Sequence, residues 1–161
     1  MLKFAILTGV MLRRYTLAEA FLLLATGIAA AQIPDTFLES LEADQTALVI
    51  EVVDGDTVVL SNGHQVRLVG IQAPKLPLGR PGFEKWPMAD EAKQALSGLV
   101  LGKNVTLAFG GQRVDRYNRL LAHLFTGDGG WVQGRLLERG LARAYSFTDN
   151  RALVKEMLNQ E

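Results

Sequence analysis

Three apolar runs rich in β-branched residues, separated by two tight turns, constrain the fold more than any other feature of this chain. The first two runs, residues 50–53 and 57–60, flank an Asp-Gly turn at residues 54–55. An Asp-Gly pair between two such runs is typical of an antiparallel β-hairpin. A third run, residues 66–71, follows a Ser-Asn-Gly turn at residues 61–63. The pattern therefore predicts three consecutive strands of one small sheet.

Two residues of opposite charge interrupt this apolar sheet. Asp56 comes directly after the first turn, and Arg67 lies inside the third apolar run. Because neighbouring strands of a hairpin run side by side, the carboxylate and the guanidinium are brought close together. We therefore expect a polar site on this part of the sheet.

The rest of the chain alternates helical and extended patterns. Residues 90–101 carry apolar side chains at helical spacing and acidic residues in the first turn, with Gly102 just beyond the end, which is typical of an amphipathic helix. Residues 72–87 contain four of the five prolines and predict a long functional or mobile loop. The other predicted elements are strands at 105–109 and 120–125, a helix at 132–139 and a last helix beginning near Asn150.

Four short motifs follow one another along the chain. They are Val-Asp-Gly-Asp-Thr at 53–57, Arg-Leu-Val-Gly-Ile-Gln-Ala-Pro at 67–74, Asp-Arg-Tyr-Asn-Arg-Leu-Leu-Ala at 115–122 and Leu-Leu-Glu-Arg-Gly-Leu-Ala at 136–142. Together they resemble the staphylococcal nuclease (thermonuclease) family over the chain from about residue 47 to its end. The resemblance implies an α+β, mainly β fold: a five-stranded OB-fold-like barrel with about three packed helices. In active members it implies a calcium-dependent phosphodiesterase that acts on DNA and RNA.

The resemblance also assigns site residues. Arg67 and Arg119 match the two catalytic arginines of the family, and the matched loop implies substrate binding by Tyr117 and Asp115. Hydrolysis of a phosphodiester requires neutralisation of the phosphate, an attacking water and stabilisation of the leaving group. Two guanidiniums and a hard cation held by carboxylates supply this combination.

The metal motif departs from the family pattern. The family has an Asp-Thr-Pro-Glu type run that supplies a second carboxylate ligand, a backbone carbonyl and the glutamate proposed as general base, whereas this chain reads Gln72-Ala73-Pro74-Lys75. The predicted metal ligands are therefore Asp56 and the neutral amide of Gln72, and Lys75 stands at the general-base position. One unit of charge at about 4 Å is worth ~4 kcal/mol at an effective dielectric constant of 20. We therefore expect only weak binding of Ca²⁺ or another divalent cation in the family geometry.

Three functions are compatible with this altered motif. In the first, the chain hydrolyses DNA or RNA, and Asp54, Asp56, Glu84 or Glu91 rebuild a cation site. In the second, a catalytically degenerate domain keeps the barrel and the two arginines and binds nucleic acid or another anionic ligand. In the third, it is a structural or interaction domain whose Asp-Gly-Asp-Thr turn is capped by its own side chains. Hydrolysis is the main prediction, and the other two are its alternatives.

Composition limits the partners and the metal chemistry. The formal net charge is zero, so attraction to nucleic acid has to come from a local groove and not from a general basic excess. The chain has no cysteine and two histidines, which excludes disulfides and thiolate metal sites and disfavours zinc. His123, within an apolar strand, is interpreted as a hydrogen-bonded barrel residue. Phe83, Trp86 and Trp131 are candidates for stacking on bases.

The first 31 residues have the pattern of an export signal. Arg13 and Arg14 precede the apolar stretch 20–28, which runs into three alanines before Gln32. The uninterrupted apolar run is shorter than the roughly 20 residues that a membrane span needs. We therefore predict a cleaved signal peptide and a periplasmic or secreted protein without stable membrane insertion; an uncleaved membrane anchor is the alternative.

The predicted division of the chain follows from this reading. Residues 1–31 form the signal, with Met11 as the alternative start to Met1, and residues 32–45 form a polar leader with a helix cap at Asp35-Thr36. Residues 46–161 form the thermonuclease-like domain. Members of the resembling family usually continue beyond the last helix, so we expect the chain to be truncated at its C-terminus.

Overall fold

A closed barrel of five strands forms the centre of the computed structural model, which describes residues 33–161. The strands are β1 (Glu42–Asp54), β2 (Thr57–Leu60), β3 (Gln65–Leu68), β5 (Asn104–Phe109) and β6 (Leu120–Thr126), with a separate two-stranded sheet of β4 (Ile71–Gln72) and β7 (Arg143–Ala144). The barrel order is β1-β2-β3-β6-β5, and only the β3–β6 pairing within it is parallel. The predicted five-stranded α+β barrel is confirmed.

Four helices are described around this barrel. They are α1 (Asp35–Leu38), α2 (Ala89–Val100), α3 (Val132–Leu137) and α4 (Val154–Gln160). None of the helices within residues 33–161 is long and apolar enough to cross a membrane. The predicted signal peptide or membrane anchor, residues 1–31, lies outside the described residues and stays a prediction.

Alternation of side chains along the strands fills the barrel interior. Val58 and Leu60 of β2 and Val66 and Leu68 of β3 are completely buried, as are β-branched and leucine side chains of the facing strands. Each such side chain contributes about 1.5–3 kcal/mol when it is removed from water. Because successive side chains of a strand point to opposite faces, the same alternation directs Arg67 away from the interior.

Strand β1 begins at Glu42, within the predicted leader and eight residues before the apolar run 50–53. Glu42 and Ala43 pair with Phe109 and Ala108 of β5, so backbone hydrogen bonds extend the strand. The side chains of residues 42–46 are all exposed. Hydrophobic periodicity could not locate this end of the strand, because no side chain there is buried.

Two other boundaries differ from the sequence prediction. The predicted cap at Asp35-Thr36 is wrong, because Asp35 is the first helical residue and Pro34 occupies the cap position without a side-chain hydrogen bond. The last helix begins at Val154 and not near Asn150. The Asn150 side-chain amide instead donates a hydrogen bond to a backbone carbonyl of the 110–119 loop.

Helix α2 packs against the turn between β1 and β2. Its buried face consists of Ala89, Ala92, Ala95, Leu96 and Val100, in agreement with the predicted helical spacing. A Cβ atom at Gly55 would lie 2.6 Å from the Cβ of Ala73 and 2.7 Å from the Cβ of Ala92. The turn therefore approaches the helix as closely as it does because residue 55 has no side chain.

His123 is a core residue of β6. It is buried, and its Nδ1 accepts a hydrogen bond from the indole N–H of Trp131 at 3.3 Å. Burial lowers the pKa of His123 to about 3. The interpretation of His123 as a hydrogen-bonded barrel residue is confirmed, whereas Trp131 is buried and unavailable for stacking on bases, so that candidate is wrong.

We predict that Gly55→Ala destabilises the fold and that Gly98→Ala does not. An added methyl at residue 55 overlaps two Cβ atoms, and overpacking of this kind typically costs about 1–3 kcal/mol. Gly98 lies in α2 with no atom within 4 Å of an added Cβ, so alanine should stabilise the helix by roughly 0.5–1 kcal/mol. Urea unfolding of both variants measures the two changes, and equal effects would contradict the packing argument.

We predict that His123 makes the fold lose stability as the pH falls. The pKa of His123 is lower in the folded state than its ordinary value of 6.5, so the unfolded chain binds a proton that the folded chain does not. Its contribution is fully present above pH 6.5 and is lost between that pH and the folded-state pKa, at up to about 1.4 kcal/mol per pH unit. Urea unfolding over this pH range should show a shallower dependence for His123→Gln than for the unaltered chain. Parallel curves would show that His123 is not protonated selectively on unfolding.

Candidate functional site

The carboxylate of Asp56 is the centre of the candidate site, and it is completely buried at 0% exposure. Oδ1 accepts a hydrogen bond from the Thr57 hydroxyl at 3.3 Å and lies 3.3 Å from Nη1 of Arg67. Oδ2 accepts hydrogen bonds from Nζ of Lys75 at 2.7 Å and from the backbone N–H of Ala73 at 2.8 Å. Each carboxylate oxygen thus contacts a cationic side chain.

The two cations decide the ionisation of Asp56. Burial by itself would raise the pKa of this carboxyl group, because a charge is poorly solvated in the interior. The charges of Arg67 and Lys75, together with the hydrogen bonds from Lys75 and Ala73, outweigh burial and hold the pKa below its usual value. Asp56 is therefore an ionised, buried carboxylate whose charge is compensated by side chains of this chain.

Asp54, the other carboxylate of the turn, faces the backbone. Its Oδ1 accepts the N–H of Asp56 at 3.0 Å, which is the self-capping geometry expected of aspartate in a turn. Burial and the nearby charge of Asp56 raise the pKa of Asp54. Asp54 therefore shapes the turn and places Asp56.

Arg67 is held in position by main-chain carbonyls. Its Nη1 donates to the carbonyl of Leu68 at 2.7 Å, and its Nη2 donates to the carbonyl of Ile71 at 2.6 Å. These acceptors lie at the end of β3 and the start of β4, so the guanidinium also fixes the bend between the two strands. The predicted neighbourhood of Arg67 and Asp56 is present.

Arg119 lies directly before β6, the strand that pairs with β3. Leu121 is the register partner of Arg67 in the parallel β3–β6 pairing, and Arg119 precedes Leu121 by two residues. Leu120, the residue after Arg119, pairs with Val66, so the register brings the backbone of Arg119 close to the start of β3. The guanidinium of Arg119 is paired with Asp115, with Nε and Nη2 at 2.8 Å and 2.7 Å from Oδ2.

Asp115 organises the loop that carries Arg119. Its Oδ1 accepts the N–H groups of Tyr117 at 2.8 Å and Arg119 at 3.0 Å. Partial burial opposes ionisation, but these hydrogen bonds and the Arg119 charge lower the pKa of Asp115. The Asp115 carboxylate therefore faces Arg119 and orients its guanidinium, and substrate binding by Asp115 stays a prediction.

Tyr117 is 64% exposed at the tip of the same loop. Its hydroxyl accepts a hydrogen bond from Nη2 of Arg116 at 2.7 Å, and the guanidiniums of Arg116 and Arg119 lie 4.8 Å and 5.5 Å from its ring centre. The ring of Tyr117 is thus exposed beside two cations, and substrate contact by Tyr117 stays a prediction.

The donor set does not fit a calcium site of the family type. Gln72 directs its Oε1 to Arg143, with Nε at 3.1 Å and Nη2 at 2.5 Å, while Lys75 contacts Asp56. Calcium prefers six to eight oxygen ligands that include carboxylates. Within residues 33–161, which include Glu84 and Glu91, no three His, Cys, Asp or Glu residues are grouped so as to hold a metal ion.

Arg143 is the site residue that the sequence analysis missed. It pairs with Gln72 in the β4–β7 sheet and lines an open cavity of about 260 Å³. Trp86, 42% exposed, lines the same cavity, so it remains a candidate for base stacking. Phe83 is half-buried with the guanidinium of Arg80 3.8 Å from its ring centre. The sequence signal that could have identified Arg143 is its position one residue after the fourth motif.

Comparison with known proteins agrees with this architecture. The family model described as staphylococcal nuclease homologue matches residues 65–161. The thermonuclease of Staphylococcus hyicus is 32% identical over 110 residues, which cover 66% of this chain and 63% of the relative. Endonuclease YncB of Bacillus subtilis (strain 168) is 35% identical over 109 residues, or 65% of this chain and 50% of the relative. An uncharacterized endonuclease of Escherichia coli is 32% identical over 121 residues, which cover 73% of this chain and 72% of the relative.

The region that the family model matches begins after Asp56 and includes three of the five barrel strands, β3, β5 and β6. The chain spans less than two thirds of the length of the thermonuclease and YncB relatives. The family model covers more than half of this chain and includes β3, β6 and the loop that carries Arg119. The chain therefore belongs to the staphylococcal nuclease homologue family.

Proposed function

We propose that this chain hydrolyses phosphodiester bonds of DNA or RNA, with Arg67 and Arg119 neutralising the phosphate. The observation that supports the proposal is the β3–β6 register, in which Arg67 pairs with Leu121, two residues after Arg119. Planar guanidiniums bind phosphate oxygens through paired hydrogen bonds. Family relatives named thermonuclease and endonuclease support the same class of reaction.

A local excess of positive charge favours phosphate binding here despite the zero net charge of the chain. Arg67 and Lys75 share the single carboxylate of Asp56, and Arg143 contacts the neutral amide of Gln72. Asp54 subtracts one charge from this group when it is ionised, so one positive charge remains. A phosphate that approaches this face therefore meets an attractive field.

Binding without hydrolysis is the second candidate function, and the contact between Lys75 and Asp56 favours it. An ammonium cannot accept a proton from an attacking water, so the residue at the general-base position cannot serve as a base in its charged form. The carboxylate of Asp56 is already engaged by two cations. A domain of this kind would bind nucleic acid or another anionic ligand through its arginines.

We predict that Arg67→Lys and Arg119→Lys each weaken oligonucleotide binding and abolish cleavage, whereas Arg139→Lys does neither. Lysine keeps the charge but loses the planar pair of donors. Hydrogen bonds to charged groups are worth about 1.5–3 kcal/mol, so each loss corresponds to roughly a tenfold or greater decrease in affinity. Arg139 is exposed beyond the end of α3 and serves as the matched control.

The assay measures cleavage of single-stranded DNA and of RNA, with Ca²⁺, Mg²⁺, Mn²⁺ or a chelator, beside salt-dependent binding of the same oligonucleotides. Cleavage that both arginine variants lose supports the hydrolase. Salt-sensitive binding without cleavage under any condition overturns hydrolysis and establishes the binding domain. Absence of both activities contradicts both functions and leaves a structural or interaction domain.

A further inference from the structure

We propose that Lys75 is a built-in cation that takes the place of a divalent metal ion at Asp56, so that this site is assembled without metal. The inference rests on the proposed function only in placing Asp56 beside the phosphate-binding arginines. Its observation is the direct contact of 2.7 Å between Nζ of Lys75 and Oδ2 of Asp56.

Burial makes this contact exclusive. Asp56 is completely buried, and the Lys75 side chain is only 21% exposed. A divalent ion that binds Oδ2 has to displace the ammonium of Lys75. The displaced ammonium would then lose Asp56, its counter-ion. The other oxygen, Oδ1, is occupied by Arg67 and Thr57. Binding of a divalent ion would therefore replace the ion pair of Lys75 with Asp56 and would not add an ionic contact to it.

The carboxylate of Asp56 also links the β1–β2 turn to the loop that carries Lys75. Oδ2 of Asp56 accepts the N–H of Ala73, at the start of the long loop between β4 and α2. The carbonyl of Lys75 accepts the N–H of Trp86 at 3.0 Å, near the end of the same loop. The buried carboxylate thus joins the β1–β2 turn to the start of the loop that borders the site through Ala73 and Lys75, and the backbone of Lys75 contacts the end of that loop.

Gln72 supplies an independent indication. At this position a carboxylate would complete a pair of anionic ligands with Asp56, but the amide is neutral. Its Oε1 accepts two N–H groups of Arg143 on the neighbouring strand β7. Both positions of the altered motif, 72 and 75, are therefore committed to contacts that exclude a metal ion.

The test is thermal unfolding in Ca²⁺, in Mn²⁺ and in a chelator, with no nucleic acid present. The unaltered chain should have the same Tm in all three solutions. Gln72→Asp/Lys75→Glu should have a lower Tm in the chelator and recover several degrees in Ca²⁺, because a ligand that binds only the folded state raises its stability. The control variant Gln72→Asp/Lys155→Glu has the same net charge as Gln72→Asp/Lys75→Glu, but its second change is at the exposed Lys155. Its Tm should not respond to Ca²⁺.

A second variant decides the matter if the double variant fails to fold. Lys75→Met keeps an unbranched side chain, one atom shorter, without the ammonium. It should lower the Tm by several degrees, because removal of one partner leaves a buried charge less compensated. The loss should disappear in an Asp56→Asn background, since the two residues act as one pair.

Two results overturn the proposal: a Tm of the unaltered chain that rises with Ca²⁺, or a Lys75→Met variant as stable as the unaltered chain. Because these measurements contain no substrate, failure of nucleic-acid cleavage or binding would remove the proposed function and leave the assignment of Lys75 standing. Conversely, a calcium response would remove the assignment of Lys75 and leave hydrolysis open.

Discussion

Compensation of one buried carboxylate is the interaction on which the site of this protein depends. An isolated charge in a protein interior costs several kcal/mol, and the cost is offset only when partners of opposite charge and hydrogen-bond donors surround it. Asp56 has both, with Arg67 on one oxygen and Lys75 and the N–H of Ala73 on the other. Since these partners come from the third strand and from the loop beyond it, a single carboxylate holds three segments together.

Phosphodiester hydrolysis has two parts, neutralisation of the phosphate and activation of water, and different residues of this site bear on each. The proposed function assigns the part that neutralises phosphate to Arg67 and Arg119, and Asp115 orients the second of them. The part that activates water is altered, because an ammonium occupies the position at which the family has a base. Membership of a nuclease family therefore indicates the ligand class more firmly than the reaction, since function depends on the residues of the site.

The barrel supports Arg67 directly, within β3, whereas Arg119 lies in the loop just before β6. The parallel β3–β6 pairing closes the sheet, so neither strand is a free edge and the relative position of their side chains is fixed. Arg67 is further fixed by the carbonyls of Leu68 and Ile71. Such preorganisation lets a guanidinium meet a phosphate without first losing much conformational freedom.

The sequence by itself determined the elements whose signal is local. The Asp-Gly turn and its apolar flanks predicted the β1–β2 hairpin, and helical spacing before Gly102 predicted α2 to within one residue at each end. The motif positions identified Arg67, Arg119 and the altered residues Gln72 and Lys75. These inferences succeeded because turn chemistry and side-chain periodicity act over a few neighbouring residues.

Only the tertiary structure decided the contacts between distant segments. The early start of β1 rests on backbone pairing with β5 and leaves no buried side chain to reveal it. The contact of Gln72 with Arg143 joins residues 71 positions apart. A lysine side chain has many rotamers, and its choice of Asp56 over solvent depends on a buried charge supplied by another segment. The sequence named the site residues except Arg143, and the fold determined their partners, because only folding removes the carboxylate from water and makes the ammonium its counter-ion.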